Sequence, residues 1–159
     1  MQPGDEVVTA DPTFIMYAMA IQKAGGVRVA VPGTDGGRAH DLDQMLAAIG
    51  PRTRMIIVCN PNNPTGALIE PAAFERFVAR VPEHAVLVCD EAYHEYVEDP
   101  AYAGGQACLA LDRPLYVLRT FSKIHSLAGL RVGCAIARPE WASLLDRVRL
   151  PYNVSGVAQ

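Results

Sequence analysis

The strongest constraint on this chain is an alternation. Six short apolar runs are separated by segments that carry apolar residues at helical spacing. The runs are Glu6 to Ala10 (EVVTA), Val27 to Val31 (VRVAV), Arg54 to Cys59 (RMIIVC), Ala85 to Cys89 (AVLVC), Leu115 to Arg119 (LYVLR) and Val132 to Ala137 (VGCAIA). Their length suits strands. Pro12 to Lys23 reads as a helix stopped by Gly25-Gly26, and Asp41 to Ile49 as a capped helix ended by Gly50-Pro51. Glu70 to Arg80 reads as a third helix, and Pro139 to Leu150 as a fourth with proline in its first turn. Pro32 to Arg38 (PGTDGGR) is turn chemistry. Strands alternating with helices predict an α/β sheet, mostly parallel and covered on both faces. The central runs are apolar throughout, which fits strands buried on both sides.

Composition narrows the function classes. A chain of 159 residues is one domain by length and long enough to bury a core without staples. Half of its residues are hydrophobic and 19% are charged, which excludes a disordered chain. The net charge of −3 gives no basic footprint for nucleic acid. No apolar run is long enough to span a bilayer and the N-terminus has no signal-peptide pattern, so the expected compartment is the cytoplasm. Cys59, Cys89, Cys108 and Cys134 form no C-x-x-C pair, and Cys59, Cys89 and Cys134 read as small core residues. His40, His84, His94 and His125 have no metal-ligand spacing, so no metal site is expected. The 14 basic residues include only two lysines, Lys23 and Lys123.

In a sheet of this kind ligands sit beyond the carboxyl ends of the strands. Three polar clusters begin there. RMIIVC is followed by Asn60-Pro61-Asn62-Asn63-Pro64-Thr65-Gly66, AVLVC by Asp90-Glu91-Ala92-Tyr93, and LYVLR by Thr120-Phe121-Ser122-Lys123 with Arg131 beyond. Each has a bland reading. The asparagines suit a plain turn, Asp90 suits a helix cap, Tyr93 suits packing, and Lys123 and Arg131 suit solvent or a surface ion pair. Each also has a chemical one. A buried Asp90 would need a cationic partner. A desolvated Lys123 would offer its neutral amine as a nucleophile. Arg131 with the Thr120 and Ser122 hydroxyls suits a phosphate. No G-x-G-x-x-G or P-loop pattern is present. An amine, a carboxylate, a phenol, an amide and a phosphate grip match pyridoxal 5'-phosphate.

The strings NPNNPTG, DEAY and TFSK…LAGLRVG, in this order, resemble the class I/II aminotransferases of pyridoxal-phosphate fold type I. PGDEVV, DPTFIMY, DEAYHEYVED and LRTFSKIHSLAGLRVG are most similar to histidinol-phosphate aminotransferases and their aromatic-aminotransferase relatives. The resemblance implies a three-layer α/β/α large domain with a mostly parallel sheet. Residues 1–150 would be most of that domain, without its first strand and N-terminal arm. Residues 151–159 would lead into an absent small domain.

The resemblance also implies roles. Lys123 would bond the cofactor and shuttle the proton. Asp90 would pair with the pyridinium nitrogen, and Tyr93 and Asn63 with the phenolic oxygen. Thr120, Ser122 and Arg131 would hold the phosphate, and Phe14 would stack on the ring or else pack in the core. The implied partners are a small-molecule amino donor and a keto acceptor, with a homodimer as the complete form and histidine biosynthesis as the setting. Family members carry an N-terminal arm, a tyrosine that reaches the partner's site, and a small domain with a carboxylate-binding arginine; these are expected to be missing here. Aromatic amino acid transamination, threonine-phosphate decarboxylation and a non-catalytic fragment stand as alternatives. Cys134 departs from the aromatic residue common after Val-Gly.

Overall fold

The computed structural model describes residues 1–159. Six strands form one sheet in the order β2-β1-β3-β4-β5-β6. They are β1 (Glu6–Asp11), β2 (Val27–Pro32), β3 (Thr53–Cys59), β4 (Val86–Asp90), β5 (Leu115–Thr120) and β6 (Gly133–Ile136). The first five are mutually parallel, and β6 runs antiparallel to β5. Four α-helices accompany them: α1 (Met16–Lys23), α2 (Leu42–Ala47), α3 (Pro71–Arg80) and α4 (Pro139–Asp146). No helix is long and apolar enough to cross a membrane.

Alternation of side chains along each strand sorts the core into two layers. Val8, Ala10, Ile56, Val58, Leu87, Cys89, Leu115 and Val117 share one cluster with Met45 of α2 and with Phe74, Phe77 and Val78 of α3. Val7 and Ile57 face the other way, against Ile21 of α1, with Tyr17, Met55 and Val88 packed around them. On that second side the Tyr116 hydroxyl donates to the Trp141 carbonyl of α4 at 2.9 Å.

Local chemistry accounts for most element ends. The Asp41 carboxylate caps α2 by accepting from the Gln44 N–H at 2.9 Å. Glu70 caps α3 by accepting from Ala72 and Ala73 N–H, and Pro71 occupies the first turn. Three expectations need correction. The first helix begins at Met16, not Pro12, because the Pro12 carbonyl accepts the Asn62 side-chain amide at 3.1 Å and residues 12–15 form a loop. The last helix stops at Asp146, with no strand or helix in residues 151–159. Cys134 is exposed, not core, because it lies on β6, the terminal strand of the sheet, whose residues 133–135 are all exposed.

The strand ends are tied by a buried ion pair. Glu91, one residue past β4, is fully buried. Its Oε2 accepts from Arg119 Nε at 2.7 Å and lies 2.6 Å from Nη2, so the guanidinium grips it with two nitrogens. Oε1 accepts the Gly105 N–H from the 3-10 segment Gly104–Ala110. This arrangement joins the ends of β4 and β5 to the layer beneath them. Replacing Arg119 with Met leaves the buried Glu91 charge with the Gly105 N–H and, 3.5 Å from Oε2, His94 Nδ1 but no guanidinium, which is expected to cost about 3–5 kcal/mol. Urea denaturation of the variant checks this, and an unchanged midpoint would show that the pair does not hold the strand ends.

His40 presents a second buried polar group, with no hydrogen-bond partner on either ring nitrogen. Burial pushes it down from 6.5 to about 4. The unfolded chain therefore takes up a proton below pH 6.5 that the folded chain refuses until about pH 4. The contribution to stability is full above pH 6.5 and falls away as the pH drops toward 4. Its magnitude is on the order of 3 kcal/mol. His40→Leu is expected to flatten the slope of stability over that interval, as read by denaturation at a series of pH values; an unchanged slope would contradict it.

Candidate active site

The sheet topology points to one edge. Strand order reverses about β1, since β2 lies on one side of it and β3 on the other. The crevice beyond the carboxyl ends of β1 and β3 is the switch point where α/β sheets bind ligands. Two side chains close the floor of that crevice. The Thr13 hydroxyl donates to Asn62 Oδ1 at 3.0 Å, and Asn62 Nδ2 donates to the Pro12 carbonyl and to the Thr65 hydroxyl. Asn62 is thus consumed in joining the loop after β1 to the loop after β3, and it is 4% exposed.

Asn63, next in the chain, is free to face outward. Its Nδ2 lies 3.5 Å from the Tyr93 hydroxyl, the limit of a hydrogen bond. Tyr93 stands three residues beyond β4. Lys123 Nζ lies 5.0 Å from the centroid of the Tyr93 ring, over its face, in cation–π range. Residues from the ends of β3, β4 and β5 therefore meet at Tyr93. Lys123 is exposed. The side chain is therefore not desolvated, since its loop follows the end of β5 and leaves it open to solvent.

Asp90 is the last residue of β4 and follows Val88 in parity, so it faces the α1 side, while Glu91 faces the other layer with Cys89. Asp90 Oδ2 accepts the Tyr17 hydroxyl at 2.6 Å, and Oδ1 accepts the Ala92 N–H at 3.1 Å. Both donors are neutral. No arginine, lysine or histidine pairs with this half-buried carboxylate, although ten arginine–carboxylate ion pairs form elsewhere. Phe14 follows the switch-point loop, 37% exposed, with its ring edge-on to Tyr17 at a centroid separation of 5.6 Å. Packing in the core does not account for it.

The remaining predicted residues lie on the β5–β6 return. Because β6 is antiparallel, its amino end sits at the carboxyl edge of the parallel strands, with Gly133 opposite Thr120. Arg131, two residues before Gly133, is carried to that edge. It adopts a left-handed backbone (φ 54°), and its Nη1 donates to the Ala128 carbonyl at 2.7 Å. No carboxylate pairs with it. The Thr120 hydroxyl accepts the Ser122 N–H at 3.1 Å. The structure gives no direct bond between Arg131 and either hydroxyl; the three residues stand on one edge of the sheet and do not form a closed cluster.

A cleft of about 690 Å³ opens beside Asn63 and Tyr93, lined also by Pro64, Leu68 and Tyr96; Phe14, Asp90, Lys123 and Arg131 are not among its lining residues. Sequence reasoning missed Tyr17, which it read only as part of an apolar helix face, and gave no role to Glu91 or Arg119. The parity of consecutive residues after a strand was the available signal for Glu91.

The arrangement has close counterparts. The chain is 50% identical over 160 residues to histidinol-phosphate aminotransferase of Moorella thermoacetica, covering all of this chain and 41% of that protein. It is 47% identical over 156 residues to an aromatic amino acid aminotransferase of Mycolicibacterium smegmatis, covering 98% of this chain and 43% of the relative. The crystal structure of histidinol-phosphate aminotransferase from Sinorhizobium meliloti in complex with pyridoxal-5'-phosphate superposes with a TM-score of 0.89 at 30% identity, over 99% of this chain and 42% of that one. The chain thus spans about two fifths of the length of the curated relatives it matches. The family described as aminotransferase class I and II matches residues 1–159. With that match running from end to end of the sequence, the chain belongs to the class I and II aminotransferases.

Proposed function

We propose that this chain forms the cofactor-binding part of a pyridoxal-phosphate-dependent aminotransferase of the histidinol-phosphate type. The carrying observation is the meeting of Lys123, Tyr93 and Asn63 at one edge of the sheet, with Lys123 Nζ 5.0 Å from the Tyr93 ring centroid. The residues suit the cofactor on three counts. Asp90 is a half-buried carboxylate served only by neutral donors, which fits a cationic ring nitrogen. Arg131 has no carboxylate partner, which fits a phosphate. Phe14 leaves aromatic surface open, which fits a stacked ring.

Under this reading Lys123 would bond the cofactor, Asp90 its ring nitrogen, and Asn63 and Tyr93 its phenolic oxygen. Thr120, Ser122 and Arg131 would hold its phosphate. The cofactor supplies an aldehyde that captures amines and a protonated ring that withdraws electrons. Lys123 Nζ, as a free amine, would take the proton from the substrate carbon, carry it as an ammonium, and release it to the cofactor carbon, ending as the free amine again. Asp90 would face the ring nitrogen as its acceptor, and Tyr93 and Asn63 would offer donors to the ring oxygen.

The amino donor and keto acceptor are small molecules, with histidinol phosphate favoured by the relatives at 47–50% identity. Aromatic amino acids are the second reading, on relatives at 44–49%. The natural protein would work as a homodimer, with residues 1–150 in its large domain. The four free thiols suit a reducing compartment such as the cytoplasm.

The test uses the natural polypeptide that carries this sequence. Addition of pyridoxal phosphate, borohydride reduction and peptide mapping are expected to put the label on Lys123. Lys123→Ala should abolish that label and lower turnover by roughly a hundred- to ten-thousandfold. A label on Lys23 in its place, or unchanged turnover in the variant, would overturn the reading.

A further inference from the structure

Tyr17 touches both residues that would flank the cofactor ring. Its hydroxyl donates to Asp90 Oδ2 at 2.6 Å, and its ring meets the Phe14 ring edge-on at 5.6 Å between centroids. Phe14 and Tyr17 are three residues apart, a spacing that puts two side chains on one side of a helical turn, and Tyr17 N–H donates to the Phe14 carbonyl. We propose that Tyr17 is a positioning residue, whose hydroxyl fixes the plane of the Asp90 carboxylate while its ring sets the angle of Phe14. The proposal rests on the pyridoxal-phosphate reading above.

The geometry is specific to a phenol. The ring of Tyr17 packs against the cluster of Val7, Ile21 and Ile57. That anchors the body of the side chain on the sheet and aims its tip at the end of β4. The Cys59 thiol lies near the same hydroxyl. Burial first, and the Asp90 charge next, hold the phenol well above its ordinary range. Tyr17 therefore remains a donor at every pH at which the protein works and does not exchange roles with Asp90.

The Asp90 carboxylate has two oxygens and about four lone-pair directions. Tyr17 takes one on Oδ2 and the Ala92 N–H takes one on Oδ1. A carboxylate held at both oxygens cannot rotate about its last bond. The directions left over are then fixed relative to the sheet, and a ring nitrogen entering over Phe14 meets a preset acceptor. With phenylalanine at position 17 the packing and the contact with Phe14 are kept. Only the clamp on Oδ2 is lost.

Tyr17→Phe in the natural polypeptide is the test. Loss of one charge-assisted hydrogen bond to Asp90 is expected to weaken pyridoxal-phosphate binding on the order of tenfold, measured by equilibrium titration of the cofactor's absorption. The midpoint of the bound cofactor's spectroscopic pH titration is expected to shift as well, a response that a purely structural residue would not produce. In an Asp90→Asn background the same substitution should change neither quantity further, because Tyr17 acts through Asp90. An independent reading comes from the unsubstituted protein. Its Tyr17 hydroxyl proton, kept from rapid exchange by the bond to Asp90, should shift in the NMR spectrum when pyridoxal phosphate is added. Unchanged affinity and titration in Tyr17→Phe, equal effects with and without Asp90, or an unmoved hydroxyl proton would each overturn the proposal while leaving cofactor attachment at Lys123 intact. Failure of the unsubstituted protein to take up the cofactor at all would overturn both readings.

Discussion

Two adjacent carboxylates at the end of β4 have opposite environments, and the site depends on that difference. Side chains of consecutive residues leave a strand on opposite faces. Glu91 turns into the layer under α3 and is neutralised by the Arg119 fork. Asp90 turns toward α1 and receives only the Tyr17 hydroxyl and the Ala92 N–H. One charge is spent on holding β4 and β5 together. The other is left as an acceptor at the sheet edge. A one-residue slip of β4 against β3 and β5 would exchange them, burying Asp90 and exposing Glu91. The parallel register of Cys89 with Val58 on one side and Val117 on the other guards against it, since all three side chains are fully or almost fully buried.

The topology then supplies the rest. Parallel strands deliver their following loops to one edge, so the residues after β1, β3, β4 and β5 are neighbours whatever their distance in sequence. The antiparallel β6 extends this by placing its preceding residues, Arg131 among them, on the same edge. Asn62 bridges the loops after β1 and β3 across the switch point. Its neighbour Asn63 is thereby turned toward Tyr93. The polar groups of this edge are contributed by loops, and the loops are fixed by the ladder and by buried polar residues, Asn62 and Glu91 among them.

The strands were legible in the sequence because buried parallel strands are runs of apolar residues, and all six lie within a few residues of their expected positions. Asp90, Asn63, Tyr93 and Lys123 were legible because polar residues directly after such runs stand at the ligand edge. Other features depend on contacts between distant segments, which periodicity does not encode. Pro12 to Ile15 carry helical apolar spacing, yet the Asn62 side chain takes the Pro12 carbonyl and delays α1. Tyr17 looks like one more apolar position on a helix until the 73-residue separation from Asp90 is closed by the sheet. Cys134 has apolar neighbours on both sides but sits on the end strand, and no pattern within VGCAIA distinguishes an end strand from a central one.

The measurement that bears most directly on this account is a crystal structure of the natural polypeptide grown with pyridoxal phosphate. Continuous density is expected from Lys123 Nζ into the cofactor, with Asp90 within hydrogen-bond distance of the ring nitrogen, Phe14 against the ring face, and the phosphate beside Ser122 and Arg131. A cofactor seated away from the carboxyl edge of the sheet, or one whose ring nitrogen faces a group other than Asp90, would contradict it.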